Sequence, residues 1–268
     1  MKARVLFLLA HLFMASLVVA VAEGIAAAQA DIRTAITQAK VLLRDGNALN
    51  DKAMVTRAHE LLKSAHQQSP GRETLYFLAQ AEYELVRLGV GDKESGLYDR
   101  FLDPALEKVE SIMEEHKQWS EGQALFSMVQ GYRIARNPLN AITAGPKAKS
   151  SAEEAVRLDS ANPRAWLVRG IAKLNTPSIF GGDKNEALAS LKRSIMLFEG
   201  LTEEVWSRPD WGYLDALVWA GWACEQTDRP AEARASYLKA LSAEPRAQWI
   251  REMFLSPLER KLEKKGKT

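Results

Sequence analysis

The chain of 268 residues has a single cysteine, Cys224, so no internal disulfide can form. Charge of either sign is not in excess. Lys plus Arg number 36 and Asp plus Glu 34, a formal net charge of +2, which singles out neither nucleic acid nor an anionic surface as the main partner. Glycine (16) and proline (10) are scarce beside 39 alanines. Alanine is the best helix former and lets helices approach closely, so the composition points to an all-helical protein. Hydrophobic residues at 47% and charged residues at 26% are ordinary for a globular chain and fit neither disorder nor a multi-pass membrane protein.

One long apolar run is present, and it is N-terminal. Lys2 and Arg4 precede Val5 to Ala22, interrupted by His11 and Ser16. Two small-residue cleavage patterns follow, Ala20-Val21-Ala22 and Ala28-Gln29-Ala30. A basic start, an apolar core and an A-x-A site describe a secretory signal peptide, residues 1–30, with Asp31 opening the first amphipathic helix. The competing reading is an uncleaved membrane anchor. Cys224 lies too far away to be a lipidated cysteine behind the leader, and the lack of cysteine pairs suits a bacterial periplasmic protein held together by packing alone. Removal of the leader leaves 34 basic and 33 acidic residues, a balance of +1 (34 − 33), and no stable membrane span.

The mature part repeats with a period of about 34 residues. Counted from Leu214, Gly221 falls in the eighth place, Ala233 in the twentieth, Tyr237 in the twenty-fourth, Ala240 in the twenty-seventh and Pro245 in the thirty-second. Ala58, Leu62, Ala65 and Pro70 occupy the last four of these places in an earlier unit. The unit opening at Glu73 puts Tyr76, Ala79 and Tyr83 on one stripe, and another second helix carries Ala148, Ala152 and Ala155. A unit opening at Pro163 has Trp166 in its fourth place and Gly170 in its eighth, then Ala187, Leu191 and Ser194. Small residues let the two helices of a pair meet, an aromatic fills the space between pairs, and proline ends the second helix. The pattern resembles the tetratricopeptide repeat over most of residues 50–245. The frame is lost between about 88 and 147, where helices are still expected. The resemblance implies an all-α, right-handed superhelix of antiparallel helix pairs over residues 31–245, closed by a C-terminal capping helix and basic tail over 246–268.

The unit at Pro163 carries extra residues from Asn175 to Asp183. Pro177 stops the first helix, Gly181 and Gly182 permit positive φ, and Asp183 with Glu186 makes a capping-box-like start for the second helix. A glycine pair at a helix N-terminus can cradle an anion, but Asp183 puts a negative charge there, so a structural turn is the better reading. This inserted turn is similar to one in exported bacterial repeat proteins, among them the T component of tripartite solute transporters.

Chemistry is thinly represented. His59-Glu60 begins like a zinc-protease helix, but Lys63 stands where the second histidine belongs. His59 and His66 read as solvated side chains on a helix, and Cys224 as a buried thiol. No Ser-His-Asp order, nucleotide fingerprint or paired-acid constellation stands out; no enzyme, cofactor or metal is expected. Five of seven tryptophans (Trp206, Trp211, Trp219, Trp222 and Trp249) lie after residue 205, which suits core packing and a stiff terminal cap.

In the family that the repeat resembles, the fifth, ninth and twelfth places of each first helix line a concave surface. Here these are Phe77, Ala81 and Glu84, then Leu167, Ile171 and Leu174, then Val218, Trp222 and Glu225. The lining is mostly apolar with two glutamates. It suits an apolar ligand or a hydrophobic segment of a protein partner, unless the superhelix is tight or the 88–147 region fills the groove. The expected function is a non-enzymatic periplasmic protein-interaction scaffold, with a carrier of an apolar small ligand as the alternative. The near-zero charge means that a partner would be recognised by shape and apolar contact.

Overall fold

The computed structural model describes residues 29–265 except 91, 93, 95, 203 and 204, so the leader expected from the sequence lies almost wholly outside the described residues. Every regular element among the described residues is helical. Five antiparallel pairs follow one another. They are α1 (29–49) with α2 (Lys52–Gln68), α3 (Arg72–Val90) with α4 (Leu97–Glu115), and α5 (Ser120–Arg136) with α6 (Ala141–Leu158). Then come α7 (Pro163–Asn175) with α8 (Lys184–Glu199) and α9 (Tyr213–Gln226) with α10 (Pro230–Ala243). A C-terminal helix closes the stack, beginning as α11 (Gln248–Ile250) and ending as α12 (Ser256–Lys265). Between them, Arg251–Leu255 forms a π-helical turn in which the Ser256 N–H bonds to the Arg251 carbonyl, so the helix continues through Pro257.

From α2 onward each helix packs on the next, and α3, α5, α7 and α9 also touch in succession. These first helices therefore form an inner layer, and the second helices form an outer one. Between the layers the core is made by side chains such as Leu62, Leu85, Val109, Leu125, Leu191 and Leu217, all buried. The small residues at repeat places decide how closely the layers meet. A methyl group on Gly221 would lie 2.3 Å from the Tyr237 ring, and one on Gly170 would lie 2.6 Å from the Leu191 side chain. Ala58, Ala155, Ala187, Ala233 and Ala240 are fully buried at the matching contacts.

Starts are capped locally. The Asp51 carboxylate accepts from the Ala53 and Met54 N–H groups, and the Asn162 side chain accepts from the Arg164 N–H ahead of a first-position proline. The described residues of 88–147, where the 34-residue frame fails, are also mostly helical. The frame slips where helices are long: 19 residues in α3 and α4 and 18 in α6, against 14 each in α9 and α10. Extra turns preserve the pairing but lengthen the repeat beyond 34 residues.

Candidate functional site

The expected concave stripe is divided. Phe77, Ala81, Leu167 and Val218 are buried, Ile171 and Leu174 are half-buried against the core, and Trp222 is 39% exposed. The two glutamates of the stripe are engaged. Glu84, itself buried, accepts from Arg87 Nε at 2.7 Å and Asn47 Nδ2 at 3.2 Å, and Glu225 accepts from the Tyr237 hydroxyl at 2.8 Å.

The N-terminal part of the inner layer is covered by the chain itself, through the connection between α8 and α9. Lys40 on α1 donates to the Val205 carbonyl at 3.2 Å, and the Arg33 guanidinium lies over the Trp206 ring, 5.2 Å from its centre. Trp211 is buried. Its Nε1 donates to the Tyr76 hydroxyl at 3.0 Å, and its ring lies 6.0 Å from that of Tyr83. Arg164 locks the strap from below. It donates through Nη1 to the Trp211 carbonyl at 3.4 Å and through Nε and Nη2 to both oxygens of Glu121 at 2.7 and 2.6 Å. Burial alone would lower the Arg164 pKa, but the charge and hydrogen bonds of Glu121 outweigh it and hold the guanidinium above its usual value.

Of the two fillings that the sequence suggests, a tight superhelix or residues 88–147, neither describes this strap. The signal for it is in the sequence all the same. The links before α3, α7 and α11 are three or four residues (69–71, 159–162 and 244–247), whereas the link before α9 spans 200–212 and holds Trp206 and Trp211. A long link rich in tryptophan, with no counterpart in the other units, has an apolar surface to cover. The α10–α11 turn also reaches back to α1, with Arg246 Nη2 2.9 Å from Asp45 Oδ1.

Next to the strap is a charged group shared by α3 and α9. Half-buried Asp215 faces Glu84 and Arg87. Burial first, and the Glu84 charge second, push its carboxyl up to about 6, with Arg87 opposing. Burial likewise raises Asp210 on the strap, against the pull of Lys40, Arg44 and Arg164. Tyr76 and Tyr83 are raised well above the ordinary phenol value, chiefly by burial.

The inserted turn has Gly181 at φ 85°, and a methyl group on Gly182 would coincide with the Thr176 carbonyl oxygen, 1.7 Å away. The Asp183 carboxylate caps α8 by accepting from the Asn185 and Glu186 N–H groups at 2.7 and 3.0 Å. The reciprocal half of a capping box is replaced. The Asp183 N–H donates to the Lys173 carbonyl, and the Glu186 carboxylate pairs with Lys173 Nζ at 2.7 Å.

The solvated reading of the histidines is corrected. His59 is 6% exposed and edge-on to Phe101, with its ring nitrogens 3.1 and 3.3 Å from Glu60 and Glu82. It is buried because Glu82 of α3 and Phe101 of α4 lie against it, tertiary contacts that periodicity does not report. His66 is half-buried with Nδ1 2.9 Å from the Thr74 hydroxyl, and burial lowers its pKa. Cys224 is buried and burial raises its thiol pKa. Among the described residues no group of three His, Cys, Asp or Glu side chains is arranged to hold a metal, and no helix is long and apolar enough to cross a membrane.

No protein-family model matches the chain, and no curated protein does. Among solved structures, the tetratricopeptide protein TTC0263 of Thermus thermophilus superposes with a TM-score of 0.57 at 22% identity, over 82% of this chain and 98% of that one. The HusA haemophore of Porphyromonas gingivalis gives a TM-score of 0.57 at 22% identity, over 71% and 94% of the two chains. With the paired helices and their layering, these likenesses assign the chain the all-α, right-handed superhelical fold of tetratricopeptide-repeat proteins.

Proposed function

We propose that the protein is an exported, non-catalytic repeat scaffold that binds a protein partner through the uncovered part of its inner layer. The observation that carries this reading is the divided stripe. The strap and Arg164 take up the N-terminal half, while Trp222 on α9, with Ile171 and Leu174 on the neighbouring α7, is still within reach of a partner. An indole left 39% exposed on an inner helix offers the large, stiff apolar contact that anchors protein interfaces. Export rests on the sequence alone: Lys2 and Arg4, the apolar run from Val5 to Ala22 and the Ala28-Gln29-Ala30 site support a signal peptide and a periplasmic location.

A carrier of an apolar small ligand, as in the transporter T component whose turn is similar, is the second reading. It would need a chamber in the groove, and the place for one is taken by Trp211. The crevice between α9 and α12, lined by Glu225, Pro230, Leu258 and Leu262, has a volume of only about 20 Å³.

The test is affinity recovery from periplasm with the tagged wild-type chain and with Trp222→Ala/Ile171→Ser, read by mass spectrometry of proteins and of extracted small molecules. Loss of one specific protein from the variant, with its helical signal and melting point intact, is the expected result. Equal recovery by both chains overturns the reading.

A further inference from the structure

Among the described residues the four most exposed large apolar side chains are Ile179 (83%), Ile142 (78%), Leu139 (74%) and Phe180 (67%). They are gathered at two sites. Leu139 lies on the 3₁₀ turn Pro138–Asn140 and Ile142 just beyond it, between α5 and α6; Ile179 and Phe180 lie on the 3₁₀ turn Ser178–Phe180 between α7 and α8. In a stack of antiparallel pairs, all turns from first to second helix fall on the same edge. Here α6 packs on α7 between the two turns, and Lys149 of α6 donates from Nζ to the Phe180 carbonyl at 2.9 Å. The two apolar tips are therefore neighbours on one edge of the superhelix.

Both tips are held in place by local hydrogen bonds. The Asn137 side chain accepts from the Leu139 N–H at 3.0 Å, and Asn140 Nδ2 donates to the Arg133 carbonyl at 2.9 Å. In the second turn the Phe180 and Gly182 N–H groups both donate to the Pro177 carbonyl, at 2.9 and 3.1 Å. Folding does not require bulky apolar side chains at the ends of ordered turns, and four together form a patch rather than scattered exposure.

The charge around them is mostly basic. Lys147 and Lys184 are exposed beside the two tips, and Lys149 is half-buried between them. Arg229 of the α9–α10 turn donates to Asn185 Oδ1 at 3.1 Å, which carries the edge on to the next pair. The basic end of α12 arrives at this same edge, with Lys265 Nζ 3.9 Å from Asp228 and with Lys261 exposed one turn earlier. Of the acids at these turns, Asp183 caps α8, Asp228 lies 3.9 Å from Lys265, and Asp99 and Asp103 lie 3.8 and 3.1 Å from Arg136, while Glu94 of the α3–α4 turn is exposed. A chain of nearly neutral total charge thus concentrates lysine where its apolar tips project.

We propose that this edge docks on an anionic lipid surface. Leu139, Ile142, Ile179 and Phe180 enter the apolar boundary, and Lys147, Lys184 and Lys261 meet headgroup phosphates. Two separate projecting tips suit a fluid surface, which can close around each, better than the single cleft of a protein partner. Apolar insertion and several lysines supply the two signals that stable membrane attachment needs.

The test uses the full chain with Phe180→Cys carrying a polarity-sensitive dye, buried Cys224 being protected. Phosphatidylcholine vesicles are compared with vesicles that also contain phosphatidylglycerol, and the local reporter is independent of any attachment through the N-terminal run. A blue shift only with anionic vesicles is expected, weakened about tenfold in vesicle affinity by Lys147→Glu/Lys184→Glu and by Leu139→Ser/Ile142→Ser. Dye at Leu139→Cys repeats the reading should the first label disturb its turn, with melting curves confirming the fold. No shift at either position, or an equal shift with uncharged vesicles, overturns the proposal. So does a shift seen with a lipid-free protein extract and not with vesicles, which identifies a protein partner instead.

Discussion

The Nε1 of Trp211 donates to the hydroxyl of Tyr76, 135 residues earlier in the chain, at 3.0 Å. This bond fastens the strap before α9 to α3, and so ties the two halves of the inner layer together. Trp211→Ala should cost about 3–5 kcal/mol, because the neighbouring helices cannot collapse into the space of a buried indole. The hydrogen bond itself is worth far less. A double-mutant cycle of Trp211→Phe with Tyr76→Phe, read from urea midpoints, should give a coupling of about 1 kcal/mol. A coupling near zero would show that packing alone holds the strap.

Arg164→Met should destabilise by about 3–5 kcal/mol, since it leaves the half-buried Glu121 carboxylate without its bidentate partner. Adding Glu121→Leu should restore most of that loss, because the larger part of it is the desolvation of an unpaired charge. Urea unfolding with an unchanged slope is the measurement. A double variant as unstable as the single one would mean that the Arg164 bond to the Trp211 carbonyl matters more than the ion pair.

Asp215 gives a pH signature. Its carboxyl titrates at about 6 when folded and near 3.8 when unfolded, so between these values the folded chain keeps a proton that the unfolded chain has released. The stability due to this group is complete below about 3.8 and is lost as pH rises through about 6. Asp215→Asn should therefore be more stable than wild type at neutral pH, with the difference vanishing toward pH 4. Denaturant midpoints of both chains across that range are the check. A difference that does not change with pH would assign the effect to shape and not to titration.

Two kinds of glycine should respond oppositely to alanine. Gly221→Ala drives a methyl group into the Tyr237 ring and should cost about 1–3 kcal/mol. A methyl group on Gly131 in α5 has no neighbour within 4 Å, so Gly131→Ala should add about 0.5–1 kcal/mol through helix propensity. Thermal melts that shift in the same direction for both would contradict the close-contact account of the repeat.

Much of the fold is written locally. Gly170 and Gly221, and Ala187, Ala233 and Ala240, mark contacts between consecutive helices, so the spacing of small residues along the chain reports them directly. The spacing does not reveal α4 and α5, because helices of 19 residues in α3 and α4 keep the pairing while breaking the period. Of the inner stripe, the sequence supplies the apolar character of Phe77, Leu167 and Trp222 but not their exposure. That depends on what lies over each, and for His59 as for the stripe the covering residues come from distant parts of the chain.

The sequence by itself determined an all-helical, paired architecture, because helix propensity, caps and close-contact residues act over a few turns of chain. Only the tertiary structure decided which part of the inner layer is free. Trp211 reaches Tyr76 across 135 residues, Arg246 reaches Asp45 across 201, and the apolar tips at Ile142 and Phe180 share an edge. Those relationships follow from the curvature that the stacked pairs accumulate, a sum over every interface that no local pattern contains.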